Sequence, residues 1–272
     1  MRPSKFDIKK RRVVITGGAT GIGFAFAKAL GHLGCKVLIA EPDEERLKMA
    51  VKGLAEIEIK ASYKVCDVTD LAQVEQLADC AWDLFGGVDM LFNNAGIGIP
   101  QASIANTSMD DLHTVFDVNF FGVWHGCKVF GPRLVEQGTS AGIYNTGSEN
   151  SLFNATPDFA AYLASKHALL GMTDNLREQM PDFIHVGLIV PGFVRSGLTE
   201  NSPVAPMDTD KFASIALKQI CDGQFYIVSH AHNIVHIQER YAEILRAYET
   251  YVPRYEGDEE FDIRTLLAKT SW

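Results

Sequence analysis

Tyr162 and Lys166 stand four residues apart in the segment from Pro157 to Gln179, whose Ala, Leu, Lys and Met content predicts a helix. At that spacing both side chains lie on one helix face, one turn apart. A phenol beside an ammonium is a proton-transfer pair. Free tyrosine titrates near about 10, so a base working at neutrality needs roughly 4 kcal/mol of differential stabilisation of the phenolate. A nearby positive charge acts in that direction. The same spacing also occurs on solvated helix faces, so the pair gains meaning only from what surrounds it.

Ser148 closes Thr146-Gly147-Ser148, at the end of a strand that starts with Ile143-Tyr144-Asn145. A serine there is ordinarily a turn former. Tyr162 follows after enough chain for a loop and the first helical turns, which makes Ser148 a candidate to hold an oxygen beside the phenol. Asn119 interrupts the helical stretch from Met109 to Gln137, where asparagine is a poor interior residue. It is either a solvated or back-bonded amide, or an irregularity that presents a carbonyl or amide to a site.

These side chains need a scaffold, and the chain supplies one in β-α alternation. Val13-Val14-Ile15 predicts a buried strand, Thr16-Gly17-Gly18-Ala19-Thr20-Gly21-Ile22-Gly23 a turn, and Phe24 to Leu33 a helix. A glycine-rich turn between strand and helix lets the backbone approach a pyrophosphate at the helix N-terminus. Lys36 to Ala40 predicts the next strand, ending at Glu41, about 20 residues after the glycines, where a carboxylate can bond adenosine ribose hydroxyls. Glu41 would repel a 2′-phosphate and Thr20 is not basic, so both favour NAD over NADP. The alternative is that Glu41 merely begins the acidic helix start Pro42-Asp43-Glu44-Glu45.

Further strands are predicted at Ser62 to Cys66, followed by Asp67-Val68, and at Met90-Leu91-Phe92, closed by Asn93-Asn94-Ala95-Gly96. An amide at a strand's C-terminal edge can contact adenine or brace neighbouring strands. Phe183 to Val190 ends in Pro191-Gly192-Phe193-Val194-Arg195-Ser196, and the polar Gly197 to Asp210 reads as a mobile flap. The alternation yields about seven strands without a composition break, which predicts one doubly wound α/β domain over residues 1–230. Beyond it, Asn233 to Tyr251 predicts an amphipathic helix, and Phe261, Ile263, Leu266, Leu267 and Trp272 make a tail too apolar to leave in water. Residues 231–272 are therefore expected to dock on the same or a neighbouring subunit.

Composition bounds the partners. The formal net charge of -9 argues against nucleic acid. An odd set of 5 cysteines without a CxxC pair fits free thiols in a reducing cytosol, so the expected location is cytoplasmic. No apolar run reaches the ~18 residues of a membrane span, and no membrane partner is expected. His230, His232 and His236 lack a supporting acidic or cysteine ligand at typical spacing, so no metal is expected.

The ordered set Thr16-Gly17-x-x-x-Gly21-x-Gly23, Asp67-Val68, Asn93-Asn94-Ala95-Gly96, Asn119, Ser148, Tyr162-x-x-x-Lys166 and Pro191-Gly192 resembles the short-chain dehydrogenase/reductases, of the NAD-preferring type. The resemblance spans about Ile8 to Val228. It implies a Rossmann-like seven-stranded parallel sheet with helices on both faces, and a homotetramer or homodimer with the Asn119 and Tyr162 helices at an interface. It implies reversible hydride transfer between a secondary alcohol and NAD. Tyr162 would be the base, Lys166 would lower its pKa and bind the nicotinamide ribose, Ser148 would hold the substrate oxygen, and Asn119 would position a relay water. Gly17, Gly21, Ile22 and Gly23 would border the pyrophosphate. Asp67, Val68 and Asn94, with Ala95 and Gly96, would frame the adenine side. Pro191, Gly192, Val194 and Ser196 would hold the nicotinamide end.

The sequence departs from that pattern at Glu149, Asn150 and Ser151, where small apolar residues are common, so Glu149 is a candidate substrate contact. The extension past Val228 loosely resembles relatives that oxidise bulky aryl alcohols, such as the Cα-dehydrogenases of lignin-derived aryl ethers. Two alternatives stay open: a non-catalytic NAD-binding regulatory or scaffold protein of the same fold, and an NADH-dependent ketone reductase.

Overall fold

The short β-branched runs all become strands of one sheet. The structure, a computed structural model, describes residues 5–200 and 202–269. The strands are β1 (Arg12–Thr16), β2 (Lys36–Glu41), β3 (Ala61–Val65), β4 (Met90–Asn93), β5 (Ala141–Thr146), β6 (Ile184–Val190) and β7 (Tyr226–Val228). They form a 7-stranded sheet in the order β3-β2-β1-β4-β5-β6-β7, every pair parallel. The order reverses between β1 and β4, which opens a crevice at their C-terminal ends.

Apolar residues on both strand faces dictate helices on both sides. Val13 and Ile15 pack with Phe26 and Leu30 of α1 (Gly21–His32), Leu47 of α2 (Glu44–Glu56) and Phe212 of α7 (Thr209–Cys221). Val14 points the other way, to Leu77 of α3 (Leu71–Phe85), Phe130 of α5 (Gly122–Gln137) and Leu176 of α6 (Ala160–Gln179). Each such fully buried Leu, Ile or Phe contributes roughly 1.5–3 kcal/mol. Asp43 and Asp70 cap α2 and α3 by accepting main-chain N–H groups, and Gly86 ends α3 in the left-handed region at φ 72°.

The bottom of the sheet is clamped by Arg12 and Asp89. The guanidinium donates to both carboxylate oxygens, at 2.6 and 3.0 Å, and the Arg12 N–H adds a third bond at 2.8 Å. Burial raises the Asp89 pKa, but the Arg12 hydrogen bonds and charge outweigh it and hold the carboxyl below its usual range.

The long helical stretch around Asn119 divides as its composition suggests. α4 (Met109–Phe116) passes into α5 through a π turn, Asp117–Phe121, in which the Gly122 N–H reaches back to the Asp117 carbonyl. The helix carrying Tyr162 starts at Ala160, later than the predicted Pro157, because Asp158 and Phe159 are engaged with Ala102 by a main-chain bond and an isolated parallel bridge. The flap is shorter than expected: Arg195 N bonds Met207 O, Met207 N bonds Phe193 O, both at 2.9 Å, and α7 already begins at Thr209.

Residues from Ala231 onward form a separate compact unit. It contains α8 (Asn233–Tyr251), whose bounds match the predicted helix, and α9 (Ile263–Lys269). Phe261, Ile263, Leu266 and Leu267 are exposed. Trp272 lies outside the described residues. Among those described, no helix is long and apolar enough to cross a membrane.

Candidate active site

The glycine turn sits at the switch point. Gly17 and Gly21 take φ of 61° and 55°, a region that disfavours any side chain. A Cβ on Gly23 would lie 2.1 Å from the Gly17 carbonyl oxygen, and one on Gly17 would lie 2.8 Å from Ala95 Cα. Gly21, Ile22 and Gly23 open α1, and Thr20 at its N-cap makes no side-chain cap bond, so no side chain caps the first N–H groups. Nearest to Gly21 across that crevice is Ser196, at 3.7 Å from the position of a Cβ. The turn and the segment after β6 thus flank one cleft whose backbone suits an extended diphosphate.

Glu41 ends β2 with its side chain mostly covered. Burial pushes its carboxyl up, and Arg46, with Nη1 at 4.0 Å, pulls it down. Asp67 Oδ1 is held by Thr69, accepting from its N–H at 2.9 Å and its hydroxyl at 2.8 Å. Val68 is buried, and a Cβ on Gly122 would lie 2.6 Å from its Cγ2, which fixes where α5 starts. Asn94 braces neighbouring strands. Its Nδ2 donates to the Thr16 and Gly17 carbonyls, each at 3.2 Å, and its Oδ1 accepts from the Thr146 hydroxyl at 3.3 Å.

Ser148, Tyr162, Lys166 and Asn119 come from three elements and are all buried. Ser148 follows β5, its Oγ accepts the Asn150 N–H at 3.2 Å, and its hydroxyl lies near enough to the Tyr162 phenol to lower its pKa. Burial pushes the Tyr162 phenol up to about 12; Ser148 lowers it and the negative charge of Glu149 raises it. The lowering expected from Lys166 is absent from that balance. Lys166 Nζ instead donates to the Thr146 carbonyl at 3.0 Å and stands 5.6 Å from the Tyr162 ring centre. Burial brings the Lys166 ammonium down to about 8.

Asn119 lies in the π turn, the irregularity anticipated for it. Its side chain is bonded to the protein: Oδ1 accepts from Ile97 N–H at 2.8 Å, and Nδ2 donates to Ile97 O at 2.9 Å and Ser165 Oγ at 3.3 Å. It therefore pins the chain leaving β4. Gly96 is squeezed between, since a Cβ there would meet Asn119 Oδ1 at 3.3 Å and Lys166 Nζ at 3.5 Å.

Several participants carry no strong sequence signal. Phe159 stacks on Tyr162 with ring centres 4.8 Å apart; its place three residues before Tyr162 was the available hint. Thr16 accepts the N–H groups of Asn94 and Ala95 at 3.0 and 3.1 Å. Ile97 and Ile99 pack beside Tyr162 and Phe159, and Leu198 from the flap fills the space a Gly98 side chain would need. Behind the site, Asn93, Asn145 and Thr173 form a buried chain with bonds of 2.8 and 3.1 Å. Among the described residues, no group of three His, Cys, Asp or Glu side chains could hold a metal; His230 Nδ1 meets Ser229 Oγ at 2.8 Å, and the His232 and His236 rings lie 5.6 Å apart.

A doubly wound parallel sheet with a glycine turn at its switch point defines a Rossmann-like, dinucleotide-binding class of α/β protein. Within that class, the short chain dehydrogenase family pattern matches residues 11–205, and the chain belongs to that family of oxidoreductases. It is 32% identical over 246 residues to 1-deoxy-11-beta-hydroxypentalenate dehydrogenase of Streptomyces avermitilis, covering 86% of this chain and 89% of that one. It is 31% identical over 229 residues to the mitochondrial borneol dehydrogenase of Lavandula x intermedia, covering 80% and 86%. A short chain dehydrogenase/reductase from Burkholderia phymatum, solved in complex with NAD, superposes with a TM-score of 0.82 at 30% identity, over 89% of this chain and 96% of the other.

Proposed function

We propose that this protein is an NAD-dependent dehydrogenase that interconverts a secondary alcohol and its ketone, with Tyr162 as the proton-transfer group. The observation that carries the reading is the convergence of Ser148, Tyr162 and Lys166 at the C-terminal edge of the sheet, beside the crevice walled by Gly21 and Ser196. The names of the two dehydrogenase relatives, whose substrates bear hydroxyl groups, support it.

The residues present suit a dinucleotide: Gly17 and Gly21 sit at positive φ in a turn between strand and helix, and Gly17 and Gly23 have no room for a side chain against Ala95 and Gly17 itself. The glycine turn would hold the pyrophosphate, Glu41 the adenosine ribose, Asp67, Val68 and the main chain of Ala95 the adenine side, and Pro191, Gly192, Val194 and Ser196 the nicotinamide end. NAD, when bound, supplies the hydride acceptor and a positive charge that favours phenolate. Ser148 holds the alcohol oxygen against Tyr162, which takes its proton. Lys166, anchored on Thr146 with Nζ 5.6 Å from the Tyr162 ring centre, would bond the nicotinamide ribose. Asn119 is a positioning residue that keeps Ile97 and Gly96 against this group. Phe159, Ile99 and Leu198 give the substrate space an apolar wall, which suits a bulky alcohol.

The exposed Phe121 and Trp124 on the π turn and α5 support a homo-oligomer, and the apolar residues of the C-terminal unit support its packing on the same or a neighbouring subunit. A panel of bulky secondary alcohols read by NADH absorbance tests the activity. NADH formation with at least one member is expected; none across the panel would favour a non-catalytic nucleotide-binding protein.

A further inference from the structure

Glu149 is the first residue after Ser148, and its N–H donates to the Pro191 carbonyl at 2.8 Å. That bond ties the turn after β5 to the exit of β6 and turns the two segments toward each other. Gly192 lies where they meet. A Cβ on Gly192 would fall 2.9 Å from Glu149 Oε2 and 2.5 Å from His230 Cγ and Nδ1. The carboxylate and the imidazole therefore converge on one glycine of the segment assigned to the nicotinamide end. The His230 ring is oriented from behind: Nδ1 meets Ser229 Oγ at 2.8 Å, and Ser229 Oγ also receives the Gly192 N–H at 3.5 Å. With Nδ1 engaged, Nε2 is the ring nitrogen left to serve a ligand. Glu149 also lies within electrostatic reach of the reacting oxygen, because its charge raises the Tyr162 phenol.

We propose that Glu149 and His230 form a second oxygen-recognition site next to the Ser148–Tyr162 site, binding a hydroxyl on the carbon adjacent to the carbinol, so that the substrate is a vicinal diol. This rests on the dehydrogenase reading above and deepens it. A hydroxyl both donates and accepts: the carboxylate takes its proton in a charge-assisted bond, and the imidazole completes the contact. Negative charge at Glu149 disfavours an anionic group at that position. The opposite wall, Phe159 stacked on Tyr162 and Leu198 at Gly98, is apolar, so the remainder of the diol is a hydrocarbon body, alicyclic or aryl.

The test uses matched pairs: cyclohexanol against cis- and trans-1,2-cyclohexanediol, and 1-phenylpropan-1-ol against 1-phenylpropane-1,2-diol. Each is assayed with NAD by NADH absorbance. The full-length protein is expected to favour one diol of a pair by at least about tenfold in kcat/KM, since a site built to bond a hydroxyl rejects the analogue lacking it. Glu149→Ala and His230→Ala, each shown by thermal melting and NADH fluorescence to be folded and cofactor-binding, are expected to collapse that diol-to-monool ratio toward one, mainly through KM for the diol. Glu149→Gln, which keeps a hydrogen-bonding head, is expected to restore part of it. Equal rates for diol and monool in the unmodified protein, or a ratio that survives both alanine variants, would overturn this site and leave the dehydrogenase reading standing. No NADH from any member would overturn both.

Discussion

Lys166 Nζ donates to the main-chain carbonyl of Thr146 at 3.0 Å, tying α6 to the last residue of β5. This bond holds a buried ammonium in place, and burial lowers its pKa from 10.5 to about 8. Because the folded value lies below the ordinary one, the unfolded chain binds more protons between them. The penalty is fully present below about pH 8 and is relieved as pH rises to 10.5. Lys166→Met should therefore melt higher than the unmodified protein at pH 7, by roughly 3–6 °C, with the gap closing toward pH 10.5. Calorimetric melts across that range check it, and an unchanged gap would contradict the buried-cation account.

The Tyr162 phenol is governed first by burial, then by Ser148, which lowers it, and the Glu149 charge, which raises it. Oxidation needs the phenolate, so its rate should climb with pH. Ser148→Ala should move that limb to higher pH and Glu149→Gln to lower pH. The pH dependence of kcat/KM for alcohol oxidation measures both, and shifts of the same sign would refute the arrangement.

In the proposed site Glu41 would bond ribose hydroxyls, and Arg46 is held away by Glu41 at 4.0 Å and by Asp43 at 3.4 Å. Glu41→Ala should weaken NAD ten- to hundredfold, the worth of a charge-assisted bond of about 1.5–3 kcal/mol. It should also improve NADP by freeing Arg46. Cofactor titrations followed by fluorescence decide this; an unchanged NAD-to-NADP ratio would remove Glu41 from the site.

Removing Asn119 leaves both the N–H and the carbonyl of Ile97 without their partner. Asn119→Ala should lower stability by about 2–3 kcal/mol and reduce kcat more than it raises KM for NAD. Denaturant melts and steady-state kinetics test the pair of effects. Full stability would show that the π turn is held by other contacts.

Much of this was legible because the signals are local. The glycines of the first turn are demanded by φ at Gly17 and Gly21 and by the Gly23 approach to Gly17, and their spacing states that demand in the sequence. Strands with apolar residues on both faces announce a sheet covered on both sides, and Asp43 stands in an acidic helix start. What escaped depends on distant partners. Nothing in the spacing of Tyr162 and Lys166 shows that the lysine turns to the Thr146 carbonyl. Asn119 reads as irregular, but its bond to Ile97 spans 22 positions. Asn94 carries an amide able to contact or to brace, and only its bonds to Thr16, Gly17 and Thr146 reveal the brace. The Glu149–His230 approach joins residues brought together by the crossing of two strand exits at Gly192.

In the proposed reaction Tyr162 moves the proton. Tyr162→Phe keeps the ring stacked on Phe159 and removes one oxygen, so the variant should fold and bind NADH. Its rate of NADH formation from an alcohol turned over by the unmodified protein should fall by about 10²–10⁴-fold. Turnover within a few-fold of the unmodified protein would contradict the account.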